Sequence, residues 1–168
     1  MPISQPPYNG FTKIYDRPVS KLTTYVDILP VFSEVKSLCH VPIKLKALWD
    51  TGATITAVKH YTLNRLKAPL VRTKASAKIV GIGGMSVEAN YILTNIHITE
   101  DFYIQHCPTY IMDFPSDFDM IIGMDIIGMG DFAVCNTDCT TSFSFVVPSL
   151  PDRIDFIEKI ETLNRRTG

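Results

Sequence analysis

The sequence lacks a strong excess of charge and lacks any long hydrophobic run. Its 16 basic and 17 acidic residues give a formal net charge of −1, so no broad electrostatic attraction to nucleic acid or to an anionic membrane surface is expected. Its apolar runs are far shorter than the roughly 18 residues that predict a membrane-spanning helix. We therefore expect neither a nucleic-acid partner nor a membrane partner, and the function has to come from a defined site.

Signals for export and for metal binding are also missing. The first seven residues, MPISQPP, lack the basic and apolar regions of a secretory signal, which predicts a cytoplasmic protein. The four cysteines permit disulfides, but reduced thiols are the expectation in that compartment. Cys135 and Cys139 lie close in sequence, yet no histidine or second cysteine pair has the spacing of a zinc site. We predict no metal, no cofactor and no serine- or cysteine-based nucleophile.

The length and patterning predict one mainly β domain with extensions at both ends. The chain has 168 residues, of which 46% are hydrophobic and 20% charged, and this is typical of one globular domain. Residues 1–20 are proline-rich and predict an N-terminal arm, residues 21–148 the domain, and residues 149–168 a helical tail. The tail carries a helical apolar stripe formed by Ile154, Ile157, Ile160 and Leu163.

Alternating apolar residues predict strands through most of the chain. Residues 22–48 indicate a strand pair, in which Ile43, Leu45 and Ala47 alternate with lysines. A short helix is predicted at 59–66, before Pro69. Further strands are predicted at 75–80, 87–98, 102–112, 118–122, 132–135 and 141–147.

The first candidate site is the segment Asp50-Thr51-Gly52-Ala53, at the end of an apolar strand. There a carboxyl group is partly buried, Thr51 offers a hydroxyl, and Gly52 permits close backbone approach. The alternative is an ordinary turn, because all three residue types favour turns. The tripeptide alone does not decide between the two.

The second candidate is the glycine cluster Gly81-Ile82-Gly83-Gly84, between two strand patterns. It does not fit a dinucleotide fingerprint, because Ser86 stands at the third glycine position and no helix pattern follows. A hairpin with a glycine-rich tip fits better. In an ordinary surface hairpin, Ile82 would be an apolar residue exposed to solvent. In a hairpin whose tip closes over a ligand, Ile82 would contact that ligand.

The third candidate is the run from Asp119 to Gly128, which contains Ile121-Ile122-Gly123. By itself it indicates a buried strand leading into a short helix. In combination, a strand ending in Asp-Thr-Gly-Ala, a Gly-Ile-Gly-Gly hairpin and an Ile-Ile-Gly strand resemble the retropepsin family. These are the single-domain aspartic proteases of retroviruses and their cellular and bacterial relatives. The insertion after Asp50 and the run Gly123 to Ile127 look more like bacterial and Ddi-type cellular members than compact viral ones.

The resemblance implies a retropepsin-like closed β-barrel with a flap hairpin, one or two short helices and a C-terminal helix. It implies a homodimer that hydrolyses peptide or protein substrates by acid–base catalysis, with one Asp50 from each chain. Asp50, Thr51 and Gly52 would form the catalytic set, in which Thr51 hydrogen-bonds across the dimer and holds the two loops rigid, and Gly52 lies beside the substrate backbone. Residues expected to contact substrate are Ala53, Ile79, Gly81, Ile82, Gly83, Gly84 and Ile121.

Two features depart from the viral pattern and leave alternatives open. Viral members pair an acidic residue after Asp-Thr-Gly-Ala with an arginine after Ile-Ile-Gly, but here Ile55 or Thr56 and Met124 stand at those places. The terminal extensions are also longer, so other contacts have to hold a dimer together. A dimeric peptide-binding module of the same fold without catalysis, and an unrelated small β-domain, remain alternative interpretations.

Overall fold

The computed structural model describes residues 8–31, 41–66, 78–80, 86–88, 90–114, 117–152 and 155–167. These residues form eleven strands and three helices. The strands are β1 (Asn9–Tyr15), β2 (Thr23–Pro30), β3 (Ile43–Trp49), β4 (Ala57–Val58), β5 (Lys78–Val80), β6 (Ser86–Glu88), β7 (Tyr91–His97), β8 (Tyr103–Ile111), β9 (Met120–Ile122), β10 (Asp131–Thr137) and β11 (Thr140–Val147). The helices are α1 (His60–Leu66), α2 (Met124–Ile127) and α3 (Phe156–Thr167).

Six strands close into a barrel in the order β2-β3-β9-β4-β8-β7. The alternation predicted for β3 is confirmed, since Ile43, Leu45 and Ala47 point into the core while Lys44 is exposed. β2 and β7 alternate in the same way. One face of each strand fills the barrel, and the other meets solvent or a second layer. Buried residues therefore recur at every second position. The closed β-barrel expected from the sequence is confirmed.

A second sheet, in the order β1-β11-β10, packs beside the barrel. Its first strand lies within the segment predicted as an N-terminal arm. β1 pairs with β11 along its whole length, from Asn9 opposite Val147 to Tyr15 opposite Thr141. Phe11 and Tyr15 pack against the core, while most other β1 side chains are exposed. With so few inward residues, the strand has little alternation for a sequence pattern to detect.

An aromatic cluster joins this sheet to the barrel around Trp49, the last residue of β3. Its ring centroid lies 5.1 Å from that of Phe145, 5.7 Å from that of Phe143 and 5.9 Å from that of Phe132. The indole nitrogen donates a hydrogen bond of 2.9 Å to the hydroxyl of Thr24. A large side chain with both its rings packed and its N–H paired is held in one orientation. The residue that follows it, Asp50, is therefore held at a fixed place.

The hairpin region differs from its prediction. The single long strand expected at 87–98 is two strands, because β6 pairs with β5 in a separate hairpin and β7 belongs to the barrel. The hairpin arms align Ile79 with Val87. The glycine cluster itself lies outside the described residues. The predicted helices at 59–66 and in the tail are confirmed as α1 and α3, and no helix in the described ranges is long and apolar enough to cross a membrane.

The aromatic cluster generates a stability prediction. Phe143 is 1% exposed and contacts Trp49, so Phe143→Ala removes a buried ring and leaves a cavity. We expect the free energy of unfolding, measured by urea denaturation, to fall by about 3–5 kcal/mol. Ile14→Ala is the control: Ile14 is 68% exposed on β1, and its loss should change that free energy by less than about 0.5 kcal/mol. Equal losses in the two variants would contradict this account of the core.

Candidate active site

The loop of residues 50–56 passes over the end of strand β9. β9 lies between β3 and β4, parallel to β3 and antiparallel to β4. The chain leaving β3 therefore has to cross the C-terminal end of β9 before it enters β4. The backbone N–H of Asp50 donates to the carbonyl of Ile122, the last residue of β9, at 3.0 Å. This topology determines the position of Asp50.

The register of β9 against β3 is fixed at the start of β9 by Asp119. Its backbone N–H donates to the carbonyl of Lys46 at 2.8 Å, and its carboxylate accepts the N–H of Lys46 at 2.9 Å. The other carboxylate oxygen accepts the hydroxyl of Tyr61 on α1. Burial and this bond to Asp119 raise the pKa of Tyr61 above its ordinary value. A one-residue slip would remove these bonds and move Ile122 away from Asp50.

Gly123, directly after β9, lies against the underside of the loop. A Cβ at this position would be 2.5 Å from the carbonyl oxygen of Ile55 and 2.8 Å from its nitrogen. Only glycine permits so close a backbone approach. The next residue, Met124, donates its N–H to the carbonyl of Ala53 at 2.8 Å. The loop therefore rests on the β9–α2 junction along its length.

The end of the loop is held by side chains of Thr56 and Asp125. One oxygen of Asp125 accepts the N–H of Thr56 at 2.8 Å, and the other accepts its hydroxyl at 2.7 Å. The same hydroxyl accepts the N–H of Gly123 at 3.2 Å. From the sequence, Thr56 stands only at a possible place of the viral acidic residue, and Asp125 lies only within the run that leads into a short helix. The bond between them was not anticipated.

Asp50 is half-buried, and one of its carboxylate oxygens accepts the N–H of Gly52 at 2.8 Å. Thr51 and Gly52 are exposed, and Ala53 is half-buried. A partly accessible carboxylate held by a backbone N–H can exchange a proton with water or a substrate. A single carboxyl group, however, cannot serve as base and as acid in the same step. A second carboxyl group is needed for both roles.

The predicted substrate-contacting residues are only partly described. Ile121 is half-buried on β9, opposite Leu48 and therefore close to the Asp50 loop. Ile79 lies on β5, within the hairpin, while Gly81, Ile82, Gly83 and Gly84 lie outside the described residues. A cavity of about 590 Å³ is found elsewhere, between β10 and the segment before α3, and none of the predicted site residues lines it.

A cysteine nucleophile at Cys107 is disfavoured by its surroundings. Cys107 is buried on β8, and burial, followed by the charge of Asp125, raises the pKa of its thiol to about 12. The reactive thiolate is thus scarce at neutral pH. No group of three or more potential metal ligands occurs among the residues with described positions.

The match to a known family covers the loop, the hairpin and the β9–α2 junction together. Residues 42–129, just over half of the chain, match the model of the family described as "gag-polyprotein putative aspartyl protease". The chain belongs to this family. It is thus a member of the retropepsin-like aspartic proteases, as the sequence resemblance indicated.

Two solved structures with similarity to this retropepsin-like chain come from a virus and a bacterium. The EIAV protease, in complex with the inhibitor HBY-793, is 27% identical, with 64% of this chain and 86% of that chain covered and a TM-score of 0.46. A retropepsin-like aspartic protease from Rickettsia conorii is 13% identical, with 84% of this chain and 96% of that chain covered and a TM-score of 0.45. A search of curated proteins found no match.

The close approach at Gly123 generates a second prediction. In Gly123→Ala the new methyl group meets backbone atoms of Ile55, which cannot move without breaking the bonds of the loop. We expect the free energy of unfolding to fall by about 1–3 kcal/mol. In Gly52→Ala the nearest atom is a carboxylate oxygen of Asp50 at 3.2 Å, and this side-chain atom needs to shift by only a few tenths of an ångström. That variant should lose less than about 1 kcal/mol in the same urea titration, and a larger loss than in Gly123→Ala would refute this description of the loop.

Proposed function

We propose that the chain is an aspartic endopeptidase that acts as a homodimer, with the two Asp50 side chains facing each other across a two-fold axis. The observation that carries the proposal is Asp50 itself: a half-buried carboxylate in an Asp-Thr-Gly loop that rests on the β9–α2 junction of a retropepsin-family chain. The sequence contains one Asp-Thr-Gly segment. A symmetric pair of chains supplies the second.

The two carboxyl groups share one proton in the resting dimer. Two negative charges at such short range are unfavourable, so the pair titrates in two coupled steps, as is known for aspartic protease dyads in general. The ionised carboxylate takes a proton from a water molecule, which attacks the carbonyl carbon of the scissile peptide bond. The protonated partner donates to the carbonyl oxygen. The resulting tetrahedral species then breaks down with a proton passed to the leaving amine, and no covalent enzyme intermediate forms.

The neighbours of Asp50 suggest how a peptide is held. Thr51 and Gly52 are exposed beside Asp50, and in a dimer they would support the two loops and lie next to the peptide backbone. Ala53 and Ile121, with Ile79 and Ile82 from a flap made by the β5–β6 hairpin, would form apolar subsites. Gly81, Gly83 and Gly84 would offer backbone groups at the flap tip. Apolar side chains are therefore the expected preference on either side of the cleaved bond.

A single chain is expected to present only half of the binding cleft. The second Asp50 loop and the second flap would come from the other chain. We also propose the division into an arm at 1–20, a protease domain at 21–148 and a tail at 149–168. We further propose a cytoplasmic location, where the exposed thiols of Cys135 and Cys139 would stay reduced.

The proposal predicts the outcome of one substitution. Purified protein should cleave members of a diverse peptide library at mildly acidic pH, and a statine-type inhibitor should block the reaction. Asp50→Asn keeps the size of the side chain but removes its acid–base chemistry, so we expect cleavage to fall at least 10³-fold. Asp101→Asn, in the exposed turn before β8, is the matched control and should keep full activity. Equal background cleavage by wild type and Asp50→Asn would contradict the peptidase proposal and favour a non-catalytic peptide-binding module.

A further inference from the structure

The Thr56–Asp125 pair anchors the loop through side-chain hydrogen bonds. The bonds from Asp50 to Ile122 and from Met124 to Ala53 join backbone groups, which most sequences supply. At the end of the loop, by contrast, the bonds require a hydroxyl at 56 and a carboxylate at 125. Thr56 is fully buried, so its polar groups have no water to replace a missing partner.

The geometry matches the donor and acceptor capacities of the two side chains. The carboxylate of Asp125 faces three donors, namely the N–H of Thr56, its hydroxyl, and the N–H of Ile126 at 3.0 Å. A carboxylate only accepts, so all three bonds form together. The hydroxyl of Thr56 donates to Asp125 and accepts from Gly123, and so links the loop to helix α2 and to the residue that directly follows strand β9.

We propose that Thr56 and Asp125 are positioning residues of the active site, which hold the Asp50 loop on the β9–α2 junction. This inference rests on the proposed peptidase function. The pair joins the end of the Asp50 loop to the first turn of α2, through two bonds from Thr56 to the carboxylate of Asp125.

The consequence for catalysis follows from the position of the network. Residues 50–56 form one short loop, and its two ends are fixed at Ile122 and at Asp125. If the side-chain bonds at 56 are lost, the loop keeps its backbone bonds, including the one from the N–H of Tyr110 to the carbonyl of Thr56 at 2.9 Å, but loses its connection to the carboxylate of Asp125. The two carboxyl groups of a dimer need alignment to within a fraction of an ångström, and small misplacements reduce rates by about a hundredfold. Loss of the pair should therefore reduce kcat more than it raises KM.

Three substitutions separate a positioning role from general stabilisation. In Asp125→Asn an NH2 group replaces one carboxylate oxygen. Because an NH2 group cannot accept a hydrogen bond, one of the donors loses its acceptor. Thr56→Val keeps the shape of the side chain but removes its hydroxyl, and Thr56→Ser keeps the hydroxyl. Thr94→Val is the matched control, because Thr94 is also fully buried and its hydroxyl bonds to that of Thr109 at 2.7 Å, on β7 and β8.

The test measures kcat and KM on a peptide that the wild type cleaves, and amide hydrogen exchange at Gly52 and Ala53. We expect Asp125→Asn and Thr56→Val to lower kcat tenfold to a hundredfold with KM changed less than threefold, and to speed exchange at both amides at least tenfold. Thr56→Ser should stay within threefold of wild type in kcat. Thr94→Val should lower the unfolding midpoint but leave kcat and exchange in the loop unchanged.

The two readouts distinguish the failure of this inference from failure of the proposed function. If the wild type is active and Asp125→Asn has the same kcat and the same loop exchange as the wild type, the positioning role is overturned. The peptidase proposal then still stands. Equal kcat losses in Thr94→Val and Thr56→Val also overturn it, since the effect would then be general destabilisation. If the wild type cleaves nothing, the peptidase proposal fails, and exchange at Gly52 and Ala53 still decides whether the pair holds the loop.

Discussion

The insertion of β9 between β3 and β4 is the constraint on which the rest of the site depends. It forces the connecting loop over the end of β9, so that Asp50 meets the carbonyl of Ile122 and the following residues rest on Gly123. Without this crossing, an Asp-Thr-Gly segment at the end of a strand is an ordinary turn. The bonds of Asp119 to Lys46 set the register, and the aromatic cluster around Trp49 fixes the strand that carries Asp50. The barrel and the second sheet therefore both contribute to the position of one carboxyl group.

The same arrangement explains why the single chain looks incomplete as a peptidase. One half-buried carboxylate sits in the loop after β3, and the sequence contains one Asp-Thr-Gly segment. General acid and general base roles in one step require two carboxyl groups. Two-fold association supplies the second group and the second wall of the cleft at once, which is the arrangement that we propose.

Sequence patterns predicted the strands in which buried and exposed residues alternate. They also predicted the segments in which a short motif determines the backbone conformation. β3, β8, β9 and β11 follow their apolar patterns, and the three motifs together indicated the family. β1 was not anticipated because only Phe11 and Tyr15 face inward, and the predicted strand at 87–98 was wrong because β6 and β7 belong to different sheets. The Thr56–Asp125 bonds join residues 69 positions apart. No local pattern reports such a contact, and either residue alone looks like an ordinary polar residue.

The central claim is that two Asp50 carboxyl groups, one from each chain, form one catalytic site. It is tested most directly by refolding wild-type chains together with Asp50→Asn chains in known ratios and measuring peptide cleavage per mole of total protein. If only dimers with two aspartates are active, cleavage follows the square of the wild-type fraction, so an equal mixture keeps about one quarter of the wild-type activity. A linear dependence, with about half of the activity kept in an equal mixture, would show that each chain acts alone and would contradict the account.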